Sequence, residues 1–289
     1  MDIKPVNESP VPKGILVAIG GHENKGEAPE KATQMEIPNP LEVLQQVVDL
    51  IGKDNPVIEV ITTASTQAKE SFQDYKKVFT DLKVSHINHL HHNSRGEVLK
   101  DKDLVKRTQK ADAFFFTGGD QLRLTSIYGG TEFLYQLKHR YVREKILISG
   151  TSAGAMALST PMIYAGNNES QQITGEIKIT TGLEFLKDVC VDTHFTDRNR
   201  FIRMSQVVVS NPTCIGMGIS EDTSLIIREG RMAEVSGSGI VIVIEGFDVT
   251  ESNILEFSDK VPFAAQNLKM HLLTRGDRYE IPQRNPPHI

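Results

Sequence analysis

The fold class is indicated by the stretch ILISGTSAGAMA, residues 146–157. Its first four residues predict a short buried strand, and its last five predict a helix of small side chains. Between them, Gly150-Thr-Ser-Ala-Gly154 matches G-x-S-x-G, in which a sharp strand-to-helix turn raises a serine hydroxyl above a sheet. The glycines let strand and helix approach closely. We therefore predict that Ser152 is a nucleophile; the alternative is a capping serine in an ordinary tight turn.

Strands and helices alternate on the N-terminal side of this turn. Apolar runs predict strands at residues 14–21, 57–62 and 113–116, and amphipathic spacing predicts helices at 44–52, 68–82 and 98–110. Such alternation implies a mostly parallel sheet with right-handed crossovers. After about residue 173, β-branched segments separated by glycine turns predict hairpins appended to one end of that sheet. We therefore expect an α/β, doubly wound fold in a single domain over residues 1–289, with an irregular arm at 1–13.

Composition narrows the class of protein. The chain has 289 residues, of which 39% are hydrophobic and 24% charged, and its formal net charge is −5. This mild acidity argues against a nucleic-acid partner, which usually requires a basic surface. Two cysteines exclude a disulfide framework and suit a reducing compartment. Without a signal-peptide pattern in residues 1–14 or an apolar run long enough for a bilayer, we expect a cytoplasmic protein with no membrane partner.

A nucleophilic serine requires a base, and the base requires an orienting acid. His194 is the candidate base because it ends an apolar stretch and precedes the charged run 197–200, at the predicted end of a strand. Glu221 is the candidate acid because it follows the apolar segment 215–219. The alternatives are a surface or hydrogen-bonded core histidine and an ordinary solvated carboxylate. The order Ser, His, Glu differs from that of α/β-hydrolases, in which the acid precedes the histidine.

The turn also predicts an oxyanion hole. A helix N-terminus offers free N–H groups and the positive end of a dipole. We expect the N–H of Ala153, which follows the nucleophile directly, and the N–H of Gly119, which follows the strand at 113–116, to converge on one point. Gly20-Gly21 is the alternative to Gly119.

Other motifs point to no cofactor. Four histidines lie within residues 85–92 (SHINHLHH), but no nearby cysteine or carboxylate completes a metal-ligand set. His22 and Glu23 do not form HExxH, no P-loop occurs, and Gly118-Gly119 lacks dinucleotide-binding spacing. We therefore expect neither a metal nor a cofactor in the reaction. Both cysteines adjoin apolar segments, which favours core residues over nucleophiles.

Six segments, taken in their order, carry a family resemblance. They are 19–25 (IGGHENK), 115–124 (FFTGGDQLRL), 150–155 (GTSAGA), 192–203 (DTHFTDRNRFIR), 215–221 (IGMGISE) and 267–273 (NLKMHLL). In these segments the chain resembles the S51 serine peptidases and, within that family, the cyanophycinases. The resemblance implies a Ser152-His194-Glu221 triad, a flavodoxin-like sheet similar to that of class I glutamine amidotransferases, and a homodimer.

The resemblance also implies a substrate. Cyanophycinases hydrolyse a polymer of aspartate with arginine on its side-chain carboxyls, and they release β-Asp-Arg dipeptides through an acyl-enzyme. The arginines at 198–203 are then expected to clamp carboxylates, and Asp192 is expected to bind the substrate guanidinium. The implied substrate contacts are Gln121, Asp192, Thr193, Arg198, Arg200 and Arg203. The alternative for the arginines is a solvated helix face that begins at Asp197.

Two positions depart from the family pattern. Thr193 stands where many cyanophycinases have glutamine, and Asn199 stands where the family prefers glycine. Because both adjoin expected substrate contacts, an aspartyl or isoaspartyl dipeptidase of the same family is the first alternative. A binding protein of the same fold without activity is the second alternative. The three triad positions remain chemically competent, which argues against the second.

Overall fold

The computed structural model describes residues 10–26, 41–165, 177–257 and 261–282. Within them, the elements are β1 (Ile15–Ile19), α1 (Glu42–Ile51), β2 (Val57–Ile61), α2 (Ala68–Asp81), β3 (His86–Leu90), α3 (Arg95–Lys100), α4 (Leu104–Lys110), β4 (Ala113–Phe116), α5 (Gln121–Tyr128), α6 (Glu132–Arg143), β5 (Leu147–Thr151), α7 (Ala153–Ala157), β6 (Ser159–Thr160), β7 (Met162–Ala165), β8 (Lys178–Thr180), β9 (Leu186–Lys187), β10 (Val189–Thr193), α8 (Phe201–Ser210), β11 (Ile215–Ile219), β12 (Thr223–Arg228), β13 (Met232–Gly237), β14 (Val241–Glu245), β15 (Lys269–Leu273) and β16 (Arg278–Glu280). Most of the expected arm, residues 1–9, lies outside the described residues. No helix among those described has the length and hydrophobicity needed to span a bilayer.

The larger sheet has the strand order β16-β13-β12-β1-β5-β4-β2-β3. Its strands β1, β5, β4, β2 and β3 pair in parallel. Beyond β1, the strands β12, β13 and β16 extend the sheet in antiparallel pairing. The predicted α/β fold with a mostly parallel, doubly wound sheet is therefore confirmed.

Both faces of this sheet are covered. Along β1, Leu16 belongs to the apolar cluster on one face and Val17 to the cluster on the other. Phe116 and Phe115 on β4 divide in the same way, and all four side chains are buried. A strand covered on both faces appears in the sequence as an uninterrupted apolar run, which is why 14–21 and 113–116 could be recognised. Each buried side chain of this size contributes about 1.5–3 kcal/mol.

The C-terminal half contains more than appended hairpins. The hairpin of β12 and β13 does extend the larger sheet, as predicted. However, six strands form a second sheet in the order β15-β14-β11-β10-β6-β9. In it, β10 and β11 are parallel and are connected through α8. That crossover was not predicted, and it carries the ends of β10 and β11 to the same edge of the sheet.

One predicted helix is divided in two. The segment predicted as a helix at 98–110 forms α3 and α4, which are separated at Asp101. Ser94 caps α3 by accepting a hydrogen bond from the N–H of Glu97, and the Asp101 carboxylate accepts one from the N–H of Asp103. Because short polar side chains compete for backbone N–H groups, they favour a break at this point.

Candidate active site

Ser152 lies in the turn between β5 and α7. Its backbone has φ 51° and ψ −118°, a conformation that residues other than glycine rarely adopt. Backbone hydrogen bonds hold the turn: the N–H of Ser152 donates to the carbonyl of Ile19 at 3.0 Å, and the N–H of Met156 donates to the carbonyl of Ser152 at 3.0 Å. The strand, strained turn and helix predicted from G-x-S-x-G are therefore present.

The two glycines of the motif are required by close backbone contacts. A Cβ on Gly150 would lie 2.5 Å from the carbonyl group of Gly154. A Cβ on Gly154 would lie 2.2 Å from the carbonyl oxygen of Phe116 on the neighbouring strand β4. Side chains at either position would push α7 away from the sheet and displace the serine hydroxyl.

Three of the predicted residues form one hydrogen-bonded chain. Ser152 Oγ lies 3.0 Å from His194 Nε2, and His194 Nδ1 lies 2.6 Å from Glu221 Oε1. His194 directly follows β10, and Glu221 comes shortly after β11. Because these two strands are parallel neighbours, their carboxyl ends bring the imidazole and the carboxylate together. The arrangement is that of a nucleophile, a base and an orienting acid.

The environment of His194 favours its neutral form. Burial lowers the pKa of His194 below its usual 6.5; the hydrogen bond with Glu221 opposes this shift, and the nearby charge of Arg198 adds to it. At neutral pH, Nδ1–H can then donate to Glu221 while Nε2 accepts the proton of Ser152. The geometry and the direction of this pKa shift are both compatible with His194 as a general base.

Two cavities of different character meet at Ser152. The larger, of about 1,020 Å³, is the more open to solvent, and its lining includes His22, Glu23 and Asp222. The smaller, of about 220 Å³, is more enclosed. The smaller cavity is lined by Gly119, Gln121, Ser152, Ala153, Met156, Tyr164, Ala165, Thr193, His194, Arg198, Arg200 and Arg203. A substrate carbonyl placed above Ser152 would thus have the cationic smaller cavity on one side and the larger cavity, with charges of both signs, on the other.

Comparisons with known proteins fit this geometry. The model of peptidase family S51 matches residues 32–235, most of the chain. The chain belongs to peptidase family S51. It is therefore a serine peptidase, and the fold observed here is that of an S51 peptidase.

Two relatives and one solved structure illustrate the similarity. The cyanophycinase of Synechococcus elongatus is 31% identical over 269 residues, which cover 93% of this chain and 80% of the relative. The cyanophycinase of Geminocystis herdmanii (strain PCC 6308) is 29% identical over 269 residues, covering 92% and 93%. The crystal structure of a peptidase from an acI-B1 Actinobacterium aligns with a TM-score of 0.62 at 20% identity, covering 93% of this chain and 97% of that one. At this identity, the structural match supports the fold alone.

In this S51 peptidase, Asp192 is placed differently from the sequence expectation. Its side chain is 0% exposed. Its carboxylate accepts hydrogen bonds from Arg200 Nη1 at 2.8 Å, from Arg203 Nε and Nη2 at 2.6 Å each, and from the N–H of Thr193 at 2.9 Å. Because this carboxylate is buried and both of its oxygens accept hydrogen bonds within the protein, its placement argues against a contact with a substrate guanidinium, and that role stays a prediction. Asp192 positions two arginines.

The other predicted contacts border the smaller cavity. Arg200 and Arg198 lie in the turn before α8, which begins at Phe201 rather than near Asp197, and Arg203 lies in its first turn. Gln121 donates from Nε2 to the carbonyl of Ile163 at 2.8 Å, so its amide group is held in place.

Thr193 lines the same cavity and carries an unpaired hydroxyl. Its side chain is buried, and among the described residues its Oγ1 has no hydrogen-bond partner. A buried hydroxyl without a partner is costly, by about 1–3 kcal/mol, unless a ligand satisfies it. The cavity therefore combines the guanidinium groups of three arginines with the amide of Gln121, and the arginines suit a carboxylate.

The two predicted oxyanion-hole amides both belong to residues that line the smaller cavity beside Ser152. A Cβ on Gly118 would lie 3.4 Å from Ser152 Cβ, so the loop after β4 contacts the serine turn. Across the described ranges, the N–H of Gly119 donates to no backbone or side-chain acceptor of the protein. The convergence of the Ala153 and Gly119 N–H groups on one point stays a prediction.

Sequence reasoning missed a buried network beneath the serine. The carboxylate of Glu23 accepts hydrogen bonds from Tyr75 Oη and, at 2.6 Å, from Thr151 Oγ1. Burial and the Glu23 charge raise the pKa of Tyr75 well above its usual value, so this phenol remains a donor. The network ties the loop after β1 to the residue before the nucleophile. Glu23 and Thr151 lie in the segments 19–25 and 150–155 that the sequence analysis singled out, but nothing in the sequence links them to each other or to Tyr75.

The residues set aside in the sequence have structural contacts. His89 Nε2 and His91 Nδ1 both contact Thr62 Oγ1, at 2.7 and 3.1 Å. His92 contacts the Tyr128 hydroxyl at 3.1 Å. Both cysteines are buried free thiols, and burial raises the pKa of Cys214 to about 12, which makes it a poor nucleophile.

Proposed function

We propose that this S51 peptidase hydrolyses cyanophycin and releases β-Asp-Arg dipeptides as a serine-type exopeptidase. The observation that carries the proposal is the hydrogen-bonded chain Ser152-His194-Glu221 beside a cavity lined by arginines. Curated relatives named cyanophycinase at about 30% identity over nearly the whole chain give the substrate class.

The proposed reaction has two halves. Ser152 Oγ attacks the carbonyl carbon while its proton passes to His194 Nε2, and the N–H groups of Ala153 and Gly119 stabilise the oxyanion. His194 then returns the proton to the leaving amine nitrogen, which leaves an acyl-enzyme. In the second half, His194 takes a proton from water, the hydroxide attacks the ester, and Ser152 regains its proton. Glu221 holds the imidazole through Nδ1–H throughout.

The smaller cavity is proposed to bind the free carboxylate of the substrate. Each arginine of cyanophycin is attached through its amino group and therefore keeps its own carboxylate. Three guanidinium groups line this cavity, and the buried carboxylate of Asp192 pairs with two of them, which leaves an excess of positive charge. Bidentate contacts from arginine to a carboxylate are strong and directional.

The guanidinium of the substrate is proposed to lie in the larger cleft. Since Asp192 is buried against two arginines, we look to another carboxylate for this group, and the cleft is lined by Glu23, Glu221 and Asp222. Glu23 and Glu221 are engaged with Tyr75 and His194. Asp222 is the remaining carboxylate: unlike Asp192 it is only partly buried, and hydrogen bonds from the N–H of Asn24 and from Ser238 Oγ orient it.

We also propose that the protein is a cytoplasmic homodimer without a nucleic-acid partner. Strand β15 is the edge of the second sheet, and it exposes Met270 and Leu272, which are 49% and 64% accessible. An exposed edge strand with apolar side chains is suited to pairing with a second copy. Light scattering should give twice the mass of the chain, and Leu272→Lys should lower it; a monomeric wild type contradicts this part of the proposal.

The substrate proposal is tested directly with purified protein. Cyanophycin and a panel of Asp-X and β-Asp-X dipeptides are incubated with the wild type and with Ser152→Ala, and the products are identified by mass spectrometry. Release of β-Asp-Arg from the polymer by the wild type alone is the expected result. Cleavage of dipeptides without cleavage of the polymer favours the aspartyl dipeptidase. Failure of a fluorophosphonate probe to label Ser152 favours the non-catalytic binding protein.

A further inference from the structure

A group of metal-binding side chains lies at the mouth of the larger cleft. His22, His194 and Glu221 each offer one ligand atom, and these atoms lie within 4.8 Å of one another; the described part of the chain contains no other such group of three. His22 Nδ1 lies 3.7 Å from Glu221 Oε2, and the rings of His22 and His194 meet edge to face with 5.0 Å between centroids. His22 has no part in the proposed hydrolysis, so its position calls for another explanation.

The backbone holds the three residues in this arrangement. The N–H of His194 donates to the carbonyl of Gly20 at 2.8 Å, and the N–H of Asp222 donates to the carbonyl of Gly21 at 3.0 Å. Gly21 has φ +94°, and a Cβ there would lie 2.5 Å from two atoms of the His194 ring. The loop that carries His22 is therefore fixed against both other residues. For a shared zinc at the typical 2.0–2.2 Å from each ligand, the three ligand atoms need to move closer together than the 4.8 Å within which they lie, by rotation of their side chains.

The donor set selects the class of cation. Two imidazoles and one carboxylate suit Zn²⁺ and neighbouring transition metals, whereas Mg²⁺ and Ca²⁺ prefer oxygen ligands throughout. Three protein ligands and one water complete a tetrahedron. The His22 side chain is 70% exposed, so a cation can reach the group from solvent. We propose that His22, His194 and Glu221 form a Zn²⁺-binding site that inhibits the peptidase.

Inhibition follows from the role of His194. If the metal binds Nδ1, the single ring proton of the neutral imidazole resides on Nε2, which can no longer accept the proton of Ser152. If it binds Nε2, the accepting nitrogen itself is occupied. In either case the hydrolysis stops until the metal is removed. The inhibitory effect rests on the proposed function, whereas the binding of Zn²⁺ does not.

The first measurement is the binding of Zn²⁺ alone, by isothermal titration calorimetry on the full chain. His22→Ala removes one ligand, and His139→Ala is the matched control because His139 is an exposed histidine on α6. We expect His22→Ala to weaken the binding at least about tenfold, since even changes outside the ligand set cost metal sites about 10- to 100-fold. His139→Ala should leave it unchanged. Glu221→Gln, a second ligand variant, should also weaken it.

The second measurement is inhibition. Rates of polymer hydrolysis at increasing Zn²⁺ are expressed relative to the metal-free rate of each variant. The half-inhibitory concentration should rise at least about tenfold in His22→Ala, Mg²⁺ should not inhibit, and EDTA should restore the rate. Equal Zn²⁺ binding by the wild type and His22→Ala overturns the proposal, as does equal inhibition of both. If the protein hydrolyses none of the substrates, the proposed function fails, and the calorimetry alone still decides whether the site exists.

Discussion

Replacing Asp192 by asparagine separates a positioning role from a substrate-binding role. The carboxylate is 0% exposed, and its partners Arg200 and Arg203 are only 10% and 11% exposed. Asparagine keeps the shape but removes the charge and one acceptor oxygen, which leaves two nearly buried guanidinium groups without a counter-charge. Removing one partner of a buried ion pair costs about 3–5 kcal/mol. Since asparagine keeps one acceptor, we expect the free energy of unfolding to fall by the lower figure, about 3 kcal/mol. This loss corresponds to a decrease of roughly 6–12 °C in the unfolding midpoint.

The assay is thermal unfolding followed by circular dichroism, together with kcat/KM on two substrates. Asp81→Asn is the matched control, because Asp81 pairs with Lys77 on the exposed face of α2. Exposed ion pairs of this kind contribute less than about 1 kcal/mol to stability, so the unfolding midpoint of the control variant should barely change. Asp192→Asn should slow arginine-bearing and neutral β-aspartyl substrates by similar factors. An unchanged midpoint combined with a selective loss on arginine-bearing substrates would refute the reasoning and make Asp192 a substrate contact.

Four further predictions follow from the site and its surroundings. Ser152→Ala should abolish hydrolysis and leave the unfolding midpoint unchanged; a near wild-type rate excludes Ser152 as nucleophile. Glu221→Gln should lower kcat less than His194→Ala, since the acid orients the base without taking the proton; the reverse order contradicts the triad. Asp222→Asn should slow arginine-bearing substrates more than neutral ones, and equal slowing removes the guanidinium from the larger cleft. Burial lowers the pKa of folded His92, so protonation favours the unfolded chain and stability should fall as pH drops below about 6.5. His92→Gln should flatten that thermal-unfolding profile, and an unaltered slope contradicts the assignment.

The elements that carry the nucleophile could be predicted because their sequence signals are local. A strand buried on both faces gives an apolar run, as in β4 and β5, and the tight turn at Ser152 requires glycine within two residues on either side. The helix α1 has apolar residues at helical spacing and ends at Gly52 in a left-handed conformation. None of these features depends on a distant partner.

The partners of the charged residues could not be predicted because they depend on packing between elements. Asp192 pairs with Arg200 and Arg203, eight and eleven residues away, only because α8 packs beside β10. Glu23 meets a tyrosine 52 residues away and a threonine 128 residues away. Charge and proximity in sequence made Asp192 look like a substrate contact, whereas its burial shows that its bonds are satisfied within the protein.

Accessibility therefore separates the groups that organise this site from those that can bind a ligand. Asp192 and Glu23 are buried on two sides of the serine turn, with their oxygens engaged by arginines and by hydroxyl groups. They hold the two sides of the site in place, and the arginine excess that Asp192 anchors makes the smaller cavity cationic. His22 and His194 also differ in accessibility. Both nitrogens of His194 are committed to Ser152 and Glu221, whereas His22 is largely exposed beside them. A cation that approaches from the larger cleft thus meets His22 first, and to bind His194 it must replace one of the two hydrogen bonds that hold this imidazole to Ser152 and Glu221.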